Sequence, residues 1–325
     1  MSNQRTSSGL IKPERLHLGD TVGIIAPASP SPRPDALERS AAALTNLGFK
    51  PKFATNAHKR LGFLAGTDEE RAADLMSLFT DPEVKAIISL RGGYGTARLM
   101  PLLDYEVIRQ NPKILAGYSD ITTLHCALNV KANLVSFHAP MLDAALANPD
   151  VPAFTLQSFL KTVMEPLPAG PISAGGGPKT SVTIRGGRAS GELMGGNLSV
   201  LVTTLGTPYQ PSFVGKILFL EDVDEAPYRI DRMLTHLHNA GVFQQVAGVA
   251  VGVHSRCHDP KADEAKEYRQ TLEDVLTDRL AWLAVPVVRE LPFGHVALNA
   301  TLPVGIQATL DGDAGELVIT EAAVV

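Results

Sequence analysis

The chain has 325 residues, 45% hydrophobic and 19% charged, with a formal net charge of -5. That length suffices for two domain cores, and the charge lacks the basic footprint that a nucleic-acid partner requires. No Lys/Arg cluster points to a membrane surface, no apolar run reaches the length of a membrane span, and two distant cysteines, Cys126 and Cys257, argue against a disulfide framework and for a reducing, cytoplasmic compartment.

Met1 to Asp20 is polar and lacks the apolar core of a signal peptide. Residues 1–15 are expected as a loose tail. Thr21-Val22-Gly23-Ile24-Ile25-Ala26 reads as a buried strand, closed by Pro27-Ala28-Ser29-Pro30, which cannot continue a ladder. Asp35 to Leu47 has helical spacing and stops at Gly48. Lys52 to Ala54 is a short strand, and Thr67-Asp68-Glu69-Glu70 is a capping box that opens a helix through Phe79. Val84 to Leu90 is a continuous apolar strand, followed by Arg91-Gly92-Gly93-Tyr94-Gly95 and then a helix. Ile114 to Ala116 is a strand, a helix follows Ser119, and Leu134 to Phe137 is another strand. Strands with unbroken apolar runs are buried on both faces, so residues 16–164 are predicted as an α/β domain with a parallel sheet.

Glu165 to Thr180 is rich in Pro and Gly and has no apolar period, which marks a linker. Residues 181–325 form the second α/β domain. Ser181–Ile184 and Ala189–Leu193 read as strands, and Met194-Gly195-Gly196-Asn197 as the opening of a helix through Leu205. Lys216–Leu220 is a strand that runs into Glu221. A helix over Tyr228–Asn239, a strand over Val246–Val253, a helix over Glu264–Leu280 and a strand over Val285–Val288 follow. Gln307–Leu310 and Leu317–Thr320 make a closing hairpin around Asp311-Gly312-Asp313. The single tryptophan, Trp282, reads as a core residue.

Ligands of parallel sheets bind at the carboxyl ends of the strands. Three unusual segments fall at such ends: Pro27–Ser29, Arg91–Gly95 and Gly117–Asp120. In Gly117-Tyr118-Ser119-Asp120, a serine follows a short strand and precedes a helix. That is the placement of a nucleophile elbow and equally of a helix cap; the second glycine of the elbow pattern is absent. A serine nucleophile needs a base, an orienter for that base and N–H donors for the oxyanion. His295 sits in a turn after a strand and is the candidate base. Glu221 is a partly buried carboxylate that wants a partner, either a histidine or an arginine such as Arg229 or Arg232. The order Ser119, Glu221, His295 is that of α/β-hydrolase triads. The backbone of Gly92 and Gly93 forms either a phosphate nest or, with the Asp120 N–H, an oxyanion hole. His254, Cys257 and His258 invite a zinc reading but lack a fourth ligand, so no metal or other cofactor is expected. The acidic run Glu221–Glu225 lacks the glycine and distal glutamate of a calcium loop.

Taken together and in order, several segments make the chain resemble the LD-carboxypeptidases, serine peptidases of murein recycling that include the microcin C immunity peptidases. They are Gly19–Ser29, Arg91–Gly95, Gly117–Asp120, Gly191–Asn197, Phe219–Val223 and Gly294-His295. The resemblance implies a Ser-Glu-His triad at Ser119, Glu221 and His295, and an oxyanion hole near Gly93 and Asp120. It implies a flavodoxin-like, or class I glutamine amidotransferase-like, N-terminal domain carrying the serine, a C-terminal domain carrying Glu221 and His295, and a homodimer. The expected reaction is release of terminal D-alanine from murein tetrapeptide without a cofactor, with Arg91 or the loop around Ser29 binding the free carboxylate. Three alternatives stay open: an immunity peptidase acting on a peptide-nucleotide, a non-catalytic peptide-binding module, and a nucleotide-binding α/β protein.

Overall fold

The computed structural model describes residues 9–173, 180–258 and 270–325. In chain order the first half contains β1 (Thr21–Ile25), α1 (Ala36–Asn46), β2 (Lys50–Phe53), α2 (Asp68–Thr80), β3 (Val84–Ser89), α3 (Tyr105–Gln110), β4 (Ile114–Gly117), α4 (Thr122–Ala127), β5 (Ser136–His138) and α5 (Ala153–Met164). The second half contains β6 (Gly170–Pro171), β7 (Val182–Arg185), β8 (Arg188–Asn197), α6 (Leu198–Leu201), β9 (Ile217–Val223), α7 (Pro227–Asn239), β10 (Gly248–Ser255), α8 (Leu272–Leu280), β11 (Val287–Gly294), β12 (Leu302–Val304), β13 (Gln307–Asp311) and β14 (Glu316–Ile319). No helix among the described residues is long and apolar enough to cross a membrane.

The first sheet has the order β12-β5-β4-β3-β1-β2. Its β1 to β5 pairings are parallel, and β12 adds an antiparallel edge. The reason is the apolar pattern: β4 is buried along its whole length and β1 and β3 nearly so, as helices on both faces require. The expected capping box opens α2, with Glu70 N–H donating to Thr67 Oγ1 at 3.2 Å and Thr67 N–H to Glu70 Oε2 at 3.0 Å. The strand order reverses direction between β1 and β3, and the loops after β1, β3, β4 and β5 all leave from the same edge.

The second sheet, β6-β14-β13-β8-β9-β10-β11-β7, is mixed. Its centre, β8 to β11, is parallel, and antiparallel strands flank it. One connected apolar core includes residues of both halves, from Leu10 to Val324.

The structure adjusts several sequence expectations. Residues 9–12, taken above as part of a loose tail, are anchored: Leu10 and Ile11 are buried, and Ile11 pairs with Leu134 in a parallel bridge. Two adjacent apolar side chains outweigh the polar composition around them. The segment taken as a linker contributes β6, which pairs with β14; its residues 174–179 lie outside the described residues. The chain also returns to the first sheet through β12, so the two halves interlock. Met194-Gly195-Gly196-Asn197 does not open a helix but extends β8, because each residue pairs in register with β9, from Met194 against Leu218 to Asn197 against Glu221. The helix begins at Leu198, with Asn197 as its cap. Of the helix expected over Glu264–Leu280, α8 covers Leu272–Leu280 and residues 264–269 lie outside the described residues. Leu291–Gly294, expected as a turn, continues β11 past an irregularity at Glu290, where φ is +60°.

Candidate active site

Ser119 stands directly beyond β4. Tyr118 is extended, Ser119 turns to a φ of +65°, and Ser119–Ile121 forms one 3-10 turn that leads into α4. A non-glycine residue at such a φ carries roughly 1–3 kcal/mol of strain and persists only where its surroundings hold it. Those surroundings are visible. The buried Asp120 carboxylate accepts the Thr96 N–H at 2.8 Å, and the Thr96 hydroxyl donates to the Asp120 carbonyl. Burial pushes the Asp120 carboxyl above its ordinary range, and the hydrogen bonds from Thr96 and Gly95 oppose that. The glycine loop is thereby tied to the serine corner. A Cβ on Gly92 would lie 3.0 Å from Ser119 Cβ, 3.2 Å from its Oγ and 3.4 Å from the Asp120 nitrogen, so only glycine lets the loop come this close. Among the described residues the Gly93 N–H has no hydrogen-bond acceptor.

Glu221 and His295 come from the second sheet, at the end of β9 and just past β11. Glu221 is fully buried, and its Oε2 lies 2.7 Å from His295 Nδ1. Burial pushes the Glu221 carboxyl up, but the hydrogen bond from His295 and its charge outweigh it and hold the group below its ordinary value. The carboxylate therefore stays ionised in a place where an unpaired charge would be very costly. The backbone at His295 is fixed on both sides: Ser255 Oγ donates to its carbonyl at 2.7 Å, and the Gly294 N–H donates to Asn299 Oδ1 at 3.1 Å. With Nδ1 engaged by Glu221, Nε2 is the ring nitrogen left for a proton in the cleft. The Tyr118 ring packs edge-on against the His295 ring, centroids 4.8 Å apart.

Ser119 and His295 line one cleft, together with Arg33, Arg91, Gly92, Gly93 and Asp143. Among the described residues Ser119 Oγ makes no hydrogen bond, so the cleft brings it near His295 without joining the two. A second depression adjoins it across Tyr118, Ala144 and His295 and carries Asp150, Arg256 and Asn299. Arg91 stands on the wall of the first, its Nη1 donating to the Pro30 carbonyl at 3.3 Å. Ser29 lies behind the glycine loop rather than on the cleft wall, and its Oγ accepts the Tyr94 N–H at 3.1 Å.

Three residues in this region were not singled out from the sequence. Asp143 is buried, accepts the Ser31 hydroxyl at 2.6 Å and lies 3.8 Å from Arg33. His138 ends β5 and lies fully buried. Position at a carboxyl strand end was the available signal for His138 and Asp143, since both follow the same rule as Ser119; nothing in the local pattern marks Arg33.

The remaining sequence candidates take structural partners. Arg229 pairs with Glu225 at 3.4 Å, and Arg232 lies over the Tyr228 ring, 5.5 Å from its centroid, which leaves Glu221 to His295. Cys257 Sγ meets the Ser255 carbonyl and His254 Nδ1 lies 3.3 Å from the Gly252 carbonyl. No group of three His, Cys, Asp or Glu side chains among the described residues is arranged to hold a metal. Trp282 corrects the expectation of a core residue: it is 51% exposed, with its ring edge-on to His238. A position between a helix and a strand does not by itself bury a side chain.

Comparison with known proteins places the chain in a family. Residues 22–139 match the model of the LD-carboxypeptidase N-terminal domain, and residues 190–310 that of the LD-carboxypeptidase C-terminal domain. The chain is 41% identical over 300 residues to a probable murein peptide carboxypeptidase of Bacillus subtilis, covering 92% of this chain and 91% of that protein. The fold is similar to that of the microcin C7 self-immunity protein MccF in complex with glutamyl sulfamoyl guanosine, with a TM-score of 0.86 and 26% identity over 97% of this chain and 99% of that one. It is also similar to a muramoyltetrapeptide carboxypeptidase from Oxalobacter formigenes, with a TM-score of 0.79 and 35% identity over 93% and 99% of the two chains.

Proposed function

This chain belongs to the LD-carboxypeptidase family and is a serine-type carboxypeptidase acting on a peptide; from that premise we propose that it releases the terminal D-alanine of murein tetrapeptide in the cytoplasm. One observation carries the reading: a strained serine at φ +65° shares a cleft with a histidine whose far nitrogen rests on a fully buried carboxylate. In this reading His295 Nε2 takes the Ser119 proton, and Ser119 Oγ attacks the carbonyl before the last residue. Glu221 holds the imidazole tautomer and stabilises its cation. The oxyanion rests on the Gly93 and Asp120 N–H groups. His295 then protonates the departing amine, and water attacks the acyl-enzyme by the same route. The strand order β2-β1-β3-β4-β5 supports a flavodoxin-like first domain, which places the serine at a carboxyl strand end.

An exopeptidase also needs a cation for the free carboxylate. Arg91 and Arg33 stand on the wall nearest the glycine loop, and that side is assigned to the departing residue. The adjoining depression then takes the rest of the stem peptide. A second reading, hydrolysis of a peptide- or aminoacyl-nucleotide, is favoured by one feature. Tyr94, 53% exposed on the glycine loop, packs edge-on against Phe63, 64% exposed, and the pair offers a stacking surface. Murein tetrapeptide and an aminoacyl nucleotide are to be offered side by side, with products identified by mass. Free D-alanine from the first, lost in Ser119→Ala, supports the proposal; turnover of the second alone replaces it with the alternative.

A further inference from the structure

His138 is a buried histidine for which the reaction above has no use. Its ring is fully buried, and neither Nδ1 nor Nε2 has a hydrogen-bond partner among the described residues. Two orphan ring nitrogens in a core are costly, and a phenylalanine would fill the same space without them. The surroundings show what the ring is near. Its centroid lies 5.7 Å from that of Tyr118, the residue before Ser119. It lies 5.3 Å from Phe219 and 6.3 Å from Phe293, each two residues before Glu221 and His295 respectively. Alternation along a strand puts Phe219 and Glu221 on the same face. His138 therefore sits under the point where the three segments of the proposed triad converge, on the strand β5 that pairs directly with β4. Glu221 Oε1 is likewise buried and has no hydrogen-bond partner among the described residues, and the two side chains lie close enough for their charges to interact.

We propose that His138 is a positioning residue for Glu221, its neutral imidazole supplying the N–H that Oε1 lacks after a turn of the His138 ring about its last rotatable bond. The inference rests on the peptidase reading for its kinetic consequence only. With Oε2 on His295 and Oε1 on His138, both carboxylate oxygens are engaged and the carboxyl plane cannot rotate away from His295. A donor to Oε1 also makes the carboxylate less basic, so the Glu221–His295 pair takes up a proton at lower pH. The groups that face His138 fit a neutral ring. Burial pushes His138 down to about 4, Glu221 opposes that and His295 reinforces it. His125, on α4, is neutral as well, with its ring between Ser136 and the Gly117 carbonyl. Burial raises the Tyr118 phenol and the Glu221 charge raises it further, so that group is un-ionised. His254, on β10, also feels Glu221, but one of its nitrogens is already turned to the Gly252 carbonyl.

The test compares His138→Phe, which keeps the ring contacts and removes the donor, with His138→Gln, which restores an amide N–H. The expected result for His138→Phe is a kcat about tenfold lower with KM within twofold, and an acid limb of kcat/KM displaced to higher pH. His138→Gln recovers most of both. A proton NMR readout needs no substrate: the downfield His295 Nδ1–H resonance exchanges with water faster in His138→Phe than in the wild type or in His138→Gln. Equal exchange rates in all three proteins overturn the proposal, as does a folded His138→Phe with unchanged kcat and acid limb. If His138→Phe does not fold, a folded His138→Gln with the wild-type exchange rate and acid limb supports the proposal, and one in which both are displaced overturns it. Failure of the peptidase reading appears separately, as a wild type that exchanges as expected yet releases no D-alanine.

Discussion

The two sheets bring different kinds of order to the cleft. The edge of the first supplies backbone: a serine at φ +65° and a glycine loop pressed against it, tied together through Asp120 and Thr96. The edge of the second supplies titratable side chains, a buried carboxylate and an imidazole joined at 2.7 Å. Backbone geometry is set locally, by a few consecutive residues and their nearest loop. An acid–base pair depends on the register of strands far apart in the chain, 74 residues in the case of Glu221 and His295. The first edge is therefore expected to tolerate change in its charges and not in its shape, and the second the reverse.

The largest effect is expected at the corner itself. Ser119→Gly removes the proposed nucleophile and the strain together. Turnover should fall at least about 10⁴-fold, while stability rises by about 1 kcal/mol, since relief of an unfavourable φ exceeds the added freedom of the unfolded glycine. Thermal unfolding beside a D-alanine release assay measures both; a loss of stability would mean that the corner is not strained. Glu221→Gln addresses the other edge at nearly constant shape. An amide presents either the wrong group to His295 Nδ1 or a weaker acceptor, and turnover should fall about 10³- to 10⁴-fold with little change in the melting curve. Substantial activity in this variant would break the comparison, because it would make the second edge a matter of shape as well.

The same contrast explains what could be read from the sequence. The corner was legible because strand, serine and helix are consecutive, and the capping box of α2 was legible for the same reason. The linear order of Ser119, Glu221 and His295 was visible, but not that Glu221 would choose His295 over Arg229 or Arg232; Arg229 turns to Glu225 and Arg232 lies over the Tyr228 ring, contacts that only the folded chain reveals. Gly195-Gly196 looked like a helix opening because glycines punctuate sequences in many ways, and only the register with β9 makes them strand. His138 was missed because the strand was expected to end at Phe137, one residue short, and a lone histidine beside apolar residues carries no pattern. The interlocking of the halves through β12 is a three-residue strand with no alternation to detect.

Two glycines separate the edges at finer scale. Gly92→Ala pushes a methyl to 3.0 Å from Ser119 Cβ, and Gly294→Ala pushes one to 2.9 Å from both Cβ and Oε2 of Glu221. Each displacement is worth about 10²-fold in turnover where alignment within an ångström matters. The pH profiles should differ. Gly92→Ala lowers the whole profile without moving its acid limb, because the Glu221–His295 pair is untouched. Gly294→Ala moves the limb as well as the height, because it shifts one member of the pair. Identical profiles in the two variants would remove the distinction between a backbone edge and an acid–base edge.

The smallest effect concerns stability in acid, and it locates the seam between the two edges. His138 and His125 are both fully buried, and burial holds them at about 4 and about 3 in the folded protein against an ordinary 6.5. A histidine whose value is depressed on folding binds its proton more readily in the unfolded chain, so stability rises with pH across that interval. Their contribution is complete above about pH 6.5 and is lost as pH falls toward 4. The buried Asp222, raised to about 6 mainly by burial, works in the opposite sense over part of the same range, so the wild-type curve alone does not isolate the histidines. The difference between wild type and His138→Phe does, because Asp222 is common to both. The gap between melting temperatures at pH 7 and pH 5 should be smaller in the variant by a few degrees, corresponding to about 2 kcal/mol at most. An equal gap in the two proteins would mean that the His138 ring takes up its proton as readily in the folded protein as in the unfolded chain, as a hydrated imidazole does, and the seam beneath the proposed triad would then be looser than its packing against Tyr118, Phe219 and Phe293 indicates.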